Sequence, residues 1–257
     1  MKRVITALIL VPLTVAVVLF APPLAFAAAA AAVGCVSFRE YERLAAAHGV
    51  APPQGLGYAA GLAVLALPVA GWPLLALLAP AALACAMRRR PLSKALPSAA
   101  AVALGVLWIF GAWRCGLALR GINPHWLLFA LVVNWVGDTA AYYAGRGFGK
   151  RKLAPEISPH KTWEGAIASV IAALAAAWAY SQLVWLAWPP GLALLLGSIC
   201  NVTAQLGDLA ESAVKRGARV KDSGTSLPGH GGWLDRTDGL LFSIPAVLAV
   251  LLLLKVA

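Results

Sequence analysis

Residues 164–208, EGAIASVIAALAAAWAYSQLVWLAWPPGLALLLGSICNVTAQLGD, govern how the rest of the chain is read. Between Glu164 and Asp208 no side chain carries a formal charge, and Pro189 and Pro190 interrupt the run. An apolar stretch of about 20 residues is long enough to cross a bilayer as a helix. The segment therefore divides into two spans, near 164–183 and 188–208, broken where proline lacks the N–H that a continuous helix needs. The same pattern repeats outward, near 4–20, 22–37, 56–70, 72–88, 97–118, 125–145 and 239–256. Pro22–Pro23, Pro52–Pro53 and Trp72–Pro73 mark further breaks. The expectation is an all-α, polytopic membrane bundle of about nine transmembrane helices.

Composition agrees. Of 257 residues 61% are hydrophobic and only 12% charged, with a mean hydropathy of +0.80. A soluble globule would lack the polar residues to cover its surface. The net charge of +11 does not indicate nucleic acid, because the basic residues sit in short patches beside apolar spans rather than along one face. Cys35, Cys85, Cys115 and Cys200 are scattered through apolar sequence and form no metal-ligand or CxxC spacing. Met1 to Phe26 has the form of a signal peptide, with Lys2 and Arg3, an apolar run, and small-residue cleavage sites after Ala25 or Ala27. Further spans follow at once, so it is read as an uncleaved first helix.

If nine spans alternate, Lys2/Arg3, Arg39/Arg43, Arg88 to Lys94, Arg146 to Lys161 and Lys215 to Arg236 fall on one side, with Arg114, Arg120 and Lys255 near the other. The positive-inside rule makes the first side cytoplasmic and leaves the carboxyl terminus outside. No linker or repeat divides the chain, so 1–257 is expected to be one membrane domain. Within it, 1–130 is a hydrophobic helical part and 131–257 carries the chemistry.

Of the ten acidic residues, Glu40 and Glu42 lie early and the other eight fall between Asp138 and Asp238. Asp138, in NWVGDTAAYYAG, and Asp208, in NVTAQLGDLAES, sit toward the ends of apolar spans. An ionised carboxylate there is costly without a partner, which makes each a functional candidate; a structural ion pair is the plainer alternative. Asp208, Glu211, Ser212 and Lys215 share neighbouring faces of a helix that continues out of the membrane. Gly229, Gly231 and Gly232 flank His230 in PGHGG, a segment that cannot be regular helix and can bring backbone N–H groups to an anion. Asp235 and Asp238, one helical turn apart, can project from one face toward a metal. With no His/Cys set for zinc, the ion expected beside phosphates is Mg²⁺. Lys215, Arg216, Arg219, Lys221 and Arg236 supply the positive charge that two phosphorylated substrates need, although topology and anionic headgroups account for some of them, Arg219 first.

A second polar segment, GRGFGKRKLAPEISPHKTWEG (145–165), joins two spans on the same side. Thr162 can cap the helix that follows while Lys161 points at a phosphate. Arg146, Lys150, Arg151 and Lys152 are read as topology determinants.

The stretch SAVKRGARVKDSGTSLPGHGGWLDRTD, Ser212 to Asp238, resembles the signature of the phosphatidate cytidylyltransferase family, with Ser, LysArg, LysAsp, ProGlyHisGlyGly and AspArgXaaAsp at matching spacing. GDLAES, GDTAAYYAGRGFGK and SPHKTWEG accompany it, and His160 stands where many members have Lys. The resemblance covers the carboxy-terminal half well and the first 130 residues only as a hydrophobic profile. It implies an enzyme of phospholipid biosynthesis that takes CTP and phosphatidate in a cytoplasm-facing cavity of a bacterial inner membrane. CMP would pass to phosphatidate, giving CDP-diacylglycerol and pyrophosphate, with Mg²⁺ required and a second cation such as K⁺ left open. Asp208 and Asp235 are the metal ligands implied, with Asp238, Lys215 and Lys221 completing the catalytic group. Lys161, Thr162, Ser212, Arg216, His230, Gly231, Gly232 and Arg236 are implied to bind substrate, and Asp138, Glu164, Glu211 and Asp222 to support them. A homodimer is left open.

Two rival readings stand beside this one. A CTP-using lipid kinase shares the hydrophobic profile and basic site but releases CDP. A transporter would spread its carboxylates across facing spans, whereas most of these cluster at one membrane edge.

Overall fold

The computed structural model describes residues 2–50, 55–66, 75–87, 91–184, 188–227 and 231–256, with side chains from residue 8 onward. Helices dominate. They are α1 (Lys2–Phe20), α2 (Pro23–Ala47), α3 (Leu56–Ala66), α4 (Leu78–Ala86), α5 (Ala95–Gly105), α6 (Ala112–Ile122), α7 (Pro124–Phe148), α8 (Trp163–Leu183), α9 (Pro190–Gly217), α10 (Leu234–Thr237) and α11 (Leu240–Leu253). A π-helical turn, Val106–Gly111, joins α5 to α6. Among the described residues six helical stretches are long and apolar enough to cross a membrane: Pro23–Ala47, Leu92–Ile122, Pro124–Phe148, Trp163–Leu183, Pro190–Gly217 and Leu234–Leu253. This identifies a multi-pass membrane protein, and the six stretches are those found among the described residues. Leu8–Phe20 and Leu56–Ala66 are apolar but shorter. The expected spans near 56–70 and 72–88 lie partly outside the described residues, as do Pro52–Pro53 and Trp72–Pro73.

The all-α expectation needs one amendment. The polar segment between α7 and α8 folds as an antiparallel hairpin of β1 (Lys152–Ala154) and β2 (Ser158–Thr162), with Lys152 opposite Thr162 and Ala154 opposite Ser158. Ser158-Pro-His-Lys-Thr carries no apolar period to reveal a strand, so the pairing is set by the short turn and by the helices that anchor both ends.

Helix ends follow local chemistry. Pro23 and Pro124 occupy first-turn positions, where a missing N–H costs nothing. Asn123 caps α7 by accepting from the His125 amide at 2.9 Å, and Thr162 caps α8 by accepting from the Gly165 amide at 3.2 Å. Helix α2 ends with Gly49 at φ 76°, its last carbonyls taken by the amides of His48, Gly49 and Val50. Helix α9, 28 residues and roughly 42 Å long, ends the same way, with Arg219 in the left-handed region at φ 59°.

The chain forms two compact units that do not follow the sequence division at residue 130. One comprises Met1–Ala118 and Val214–Thr237, the other Leu119–Ala213 and Asp238–Ala257. The signature 212–238 is thus shared, with Ser212 and Asp238 in the second unit and Val214–Thr237 in the first.

In the first unit Phe38, Ile109 and Phe110 are fully buried. Phe38 meets Phe110 at 5.6 Å and Tyr58 edge-on at 5.1 Å between ring centroids. In the second unit Trp126 stacks on Trp188 at 3.5 Å. Small residues at its core, Ala173, Ala177 and Ser169, let helices approach closely, as membrane packing requires where lipid is as apolar as Leu. Gly165 makes the contact of α7 with α8 tight, since a Cβ there would lie 2.9 Å from the Ala141 carbonyl. Buried polar pairs tie the bundle: Asn134 donates to Ser243 Oγ at 2.8 Å and Asn201 to Ser169 Oγ at 2.9 Å, while Gln205, one turn along the same helix, donates to Asn201 Oδ1 at 2.7 Å. Leu24, Leu183 and Phe20 face outward.

A double-mutant cycle of Asn134→Ala and Ser243→Ala, read as unfolding free energy in detergent, is expected to give a coupling of about 0.6–1.7 kcal/mol. Strict additivity would mean that this pair does not join α7 to α11.

Candidate functional site

In the second unit the hairpin, the start of α8, the end of α7 and the middle of α9 enclose a cavity of about 600 Å³. Thr162 is both the last residue of β2 and the cap of α8, so the helix start sets the height of Lys161 just before it. Glu164 fastens this corner by accepting from the Arg151 amide with both oxygens at 3.2 Å. Lys161 Nζ lies 2.6 Å from Asp208 Oδ2, and both side chains remain open to the cavity, 26% and 38% exposed. Arg146, Lys152 and His160 line the same cavity, with Asp138, Tyr142, Ser169 and Gln205. Cationic side chains around two carboxylates in a half-open cleft suit a polyanion that arrives with a metal cation.

Two further acids and a serine complete this unit's set. Ser212 donates to Asp208 Oδ1 at 3.3 Å, one helical turn along α9, and Glu211 is fully buried. Asp238 enters α11 with Oδ1 accepting from the Gly239 amide at 2.7 Å. Its carbonyl packs on Gly207, where a Cβ would come within 2.6 Å, so residue 207 must be glycine for Asp238 to reach α9 beside Asp208. Asp138 and Glu211 join Asp208 within electrostatic range of the Asp238 carboxylate.

In the first unit Asp235 is the hub of a buried network. Oδ1 accepts from Lys215 Nζ at 2.6 Å and from the Ser223 amide at 3.1 Å. Oδ2 accepts from the Ser223 amide and hydroxyl, both at 2.9 Å, and from the Gly232 amide at 2.7 Å. The Lys215 and Asp235 side chains are 10% and 4% exposed. Gly231, at φ 77°, must be glycine, because a Cβ would also meet Asp235 Oδ2 at 2.5 Å. A second carboxylate joins the network from α2. Glu40, 1% exposed, accepts from Leu234 N at 2.8 Å, Ser226 Oγ at 2.7 Å and Ser223 Oγ at 3.2 Å. Arg216, Lys221, Asp222 and Arg236 are exposed, and Arg216 donates to the Val220 carbonyl at 3.0 Å.

The residues singled out from sequence thus fall into two local sets. Asp138, Lys161, Thr162 and Asp208 line the cavity, with Glu164, Glu211, Ser212 and Asp238 around it; Lys215, Asp235, Gly231 and Gly232 form the buried network. His230 lies outside the described residues. Sequence reasoning missed Glu40, Ser223 and Ser226, and also Tyr142, Ser169 and Gln205 as cavity residues. Arg146 and Lys152, read there as topology determinants, line the cavity. A signal for Glu40 existed: it and Glu42 are the only acids before Asp138.

Among the described residues no group of three or more His, Cys, Asp or Glu side chains is placed to hold a metal by itself. The donor chemistry nonetheless suits magnesium, which is held by one or two carboxylates completed by substrate phosphates and water. Each acid expected to serve as a ligand carries an ammonium where a cation would balance it, Lys161 on Asp208 and Lys215 on Asp235.

The chain matches the Cytidylyltransferase family over residues 1–254, and it belongs to that family. It is similar to a phosphatidate cytidylyltransferase of Bacillus subtilis (strain 168), 42% identical over 147 residues, 56% of this chain and 55% of the relative. It is also similar to one of Brucella suis biovar 1 (strain 1330), 48% identical over 127 residues, 48% of this chain and 46% of the relative. A third, of Haemophilus influenzae, is 45% identical over 125 residues, 46% of this chain and 43% of the relative. In these matches the chain spans about half the length of the curated relatives.

Lys161→Ala is expected to weaken binding of inorganic pyrophosphate by about tenfold or more, the size of one charge-assisted hydrogen bond. Isothermal calorimetry measures it. Equal affinity in both proteins would remove Lys161 from the anion site.

Proposed function

We propose that this protein is a phosphatidate cytidylyltransferase, transferring CMP from CTP to phosphatidate to give CDP-diacylglycerol and pyrophosphate. The observation that carries the reading is the cavity in which Lys161 and Asp208 pair at 2.6 Å while Arg146, Lys152 and His160 line the same walls. Family membership and the names of the relatives support it.

A phosphatidate oxygen attacks the α-phosphorus of CTP, forming one P–O bond as the bond to the β-phosphate oxygen breaks and pyrophosphate leaves. The attacking phosphate is already an anion near neutral pH, so no protein nucleophile is needed, and the work is to hold two anions in line and offset their repulsion. Lys161 exchanges its contact with Asp208 for a phosphate oxygen. That exchange frees the Asp208 carboxylate for a hard cation. Magnesium, when bound, neutralises phosphate charge and polarises the reacting phosphoryl group. Ser212 steadies Asp208 from one turn away, and Thr162 fixes where Lys161 stands. In the other unit Asp235, held by Lys215, is the second acid assigned to a cation, with Gly231 and Gly232 shaping the backbone beside it. Lys221, Arg216 and Arg236 are the exposed cations assigned to phosphate contact, and Asp222 supports them.

The finer topology belongs to the same proposal. Nine alternating spans place the basic segments, and with them the active site, on the cytoplasmic side of a bacterial inner membrane. Phosphatidate then reaches the site from the bilayer and CTP from the water.

The test uses purified protein, phosphatidate, Mg²⁺ and CTP labelled at the α-phosphate. Label entering the lipid phase with equimolar pyrophosphate supports transfer, whereas CDP release with phosphorylation of a lipid alcohol from γ-labelled CTP would replace it with a kinase. Chelation should abolish turnover and added Mg²⁺ restore it. Asp208→Asn should lose at least about a hundredfold in kcat while inserting normally; full activity in that variant would sink the metal assignment.

A further inference from the structure

We propose that Glu40, on a helix of the hydrophobic first half, is a positioning residue that holds the segments Ser223–Leu227 and Gly231–Asp235 and, through Ser223, sets the orientation of Asp235. The proposal rests on the transfer reaction above, in which Asp235 and its neighbouring glycines take part. Glu40 reaches both segments at once: Ser223 and Ser226 in the first, and the Leu234 amide in the second. Leu234 immediately precedes Asp235, so the amide that Glu40 holds fixes the backbone from which Asp235 projects.

The Ser223 hydroxyl links the two acids. It lies 2.9 Å from Asp235 Oδ2 and 3.2 Å from Glu40 Oε2, and its single proton is shared between them. A shift of Glu40 therefore moves the hydroxyl on which Asp235 depends. Small residues keep this contact close. A Cβ at Gly224 would lie 2.6 Å from Glu40 Oε1, and one at Gly232 would collide with Glu40 Oε2. A side chain at either glycine would have to push this carboxylate away from its donors. A carboxylate at 1% exposure is expensive to keep from water unless donors surround it. All three donors here come from these segments, so the segments and the acid hold each other.

Full-length protein in detergent, as wild type, Glu40→Ala, Glu40→Gln and Ser226→Ala, provides the test. Glu40→Ala is expected to lower kcat about a hundredfold while leaving KM for CTP within about threefold, because the residue acts on Asp235 and not on the nucleotide. Glu40→Gln should recover at least about tenfold of that loss. Its amide oxygen can accept from Leu234 N–H, and its NH₂ can donate to the Ser226 hydroxyl. A merely structural role would lower the yield of folded protein and leave kcat per folded molecule unchanged. Hydrogen exchange at the Gly232 and Leu234 amides gives a readout independent of turnover. It should quicken in Glu40→Ala and, less, in Ser226→Ala, which serves if Glu40→Ala does not accumulate. If the wild type transfers no cytidylyl group, the proposed reaction falls while the exchange data still decide the role of Glu40. Unchanged exchange at both amides, or wild-type kcat in Glu40→Ala, would overturn the positioning role.

Discussion

A carboxylate withdrawn from water must be given hydrogen-bond donors, and in this protein that requirement organises the residues around the chemistry. Asp235 receives the Lys215 ammonium, two backbone amides and the Ser223 hydroxyl. Glu40 receives two hydroxyls and an amide. Asp208, less buried, receives Lys161 and Ser212. None of these donors sits in the middle of an uninterrupted apolar span. Apart from Ser212, within α9, they come from a helix end, the hairpin and the segments around Ser223 and Gly232, where side chains and freed backbone N–H groups are available.

The three acids differ in how firmly they are held, and that difference bears on function. Asp235 and Glu40 are enclosed, with most of their acceptor capacity used inside the fold. Asp208 faces a cavity with a lysine as its partner, so its contact can be exchanged when a substrate brings competing charge. An exposed pair is weak in itself and easily rearranged, which suits the role proposed for Asp208. The buried network is better suited to hold a loop in one conformation, since breaking one contact leaves a desolvated charge behind.

Membrane packing explains the small residues. Among apolar helices in lipid, shape and a few polar pairs must do what the hydrophobic effect does in water. The Asn134–Ser243 and Asn201–Ser169 pairs serve this end, as does the close approach at Gly165. That approach brings the Thr162 cap, and so Lys161, up against α7. The same packing that joins the helices therefore sets the wall of the cavity.

Much was legible in the sequence by itself. The uncharged run between Glu164 and Asp208 determined membrane helices because backbone polar groups in lipid must be satisfied within the segment. Pro22–Pro23 and Pro189–Pro190 determined where α2 and α9 begin, and Thr162 where α8 begins, because these effects act over a turn of chain. The tertiary structure decided what depends on distant residues meeting. Glu40 stands 183 positions from Ser223, and Lys161 comes to Asp208 from the end of β2. The hairpin at 152–162 has too little apolar alternation to declare itself. Hydrogen bonds between remote segments form only once packing has fixed both partners, so no local pattern in the chain records them.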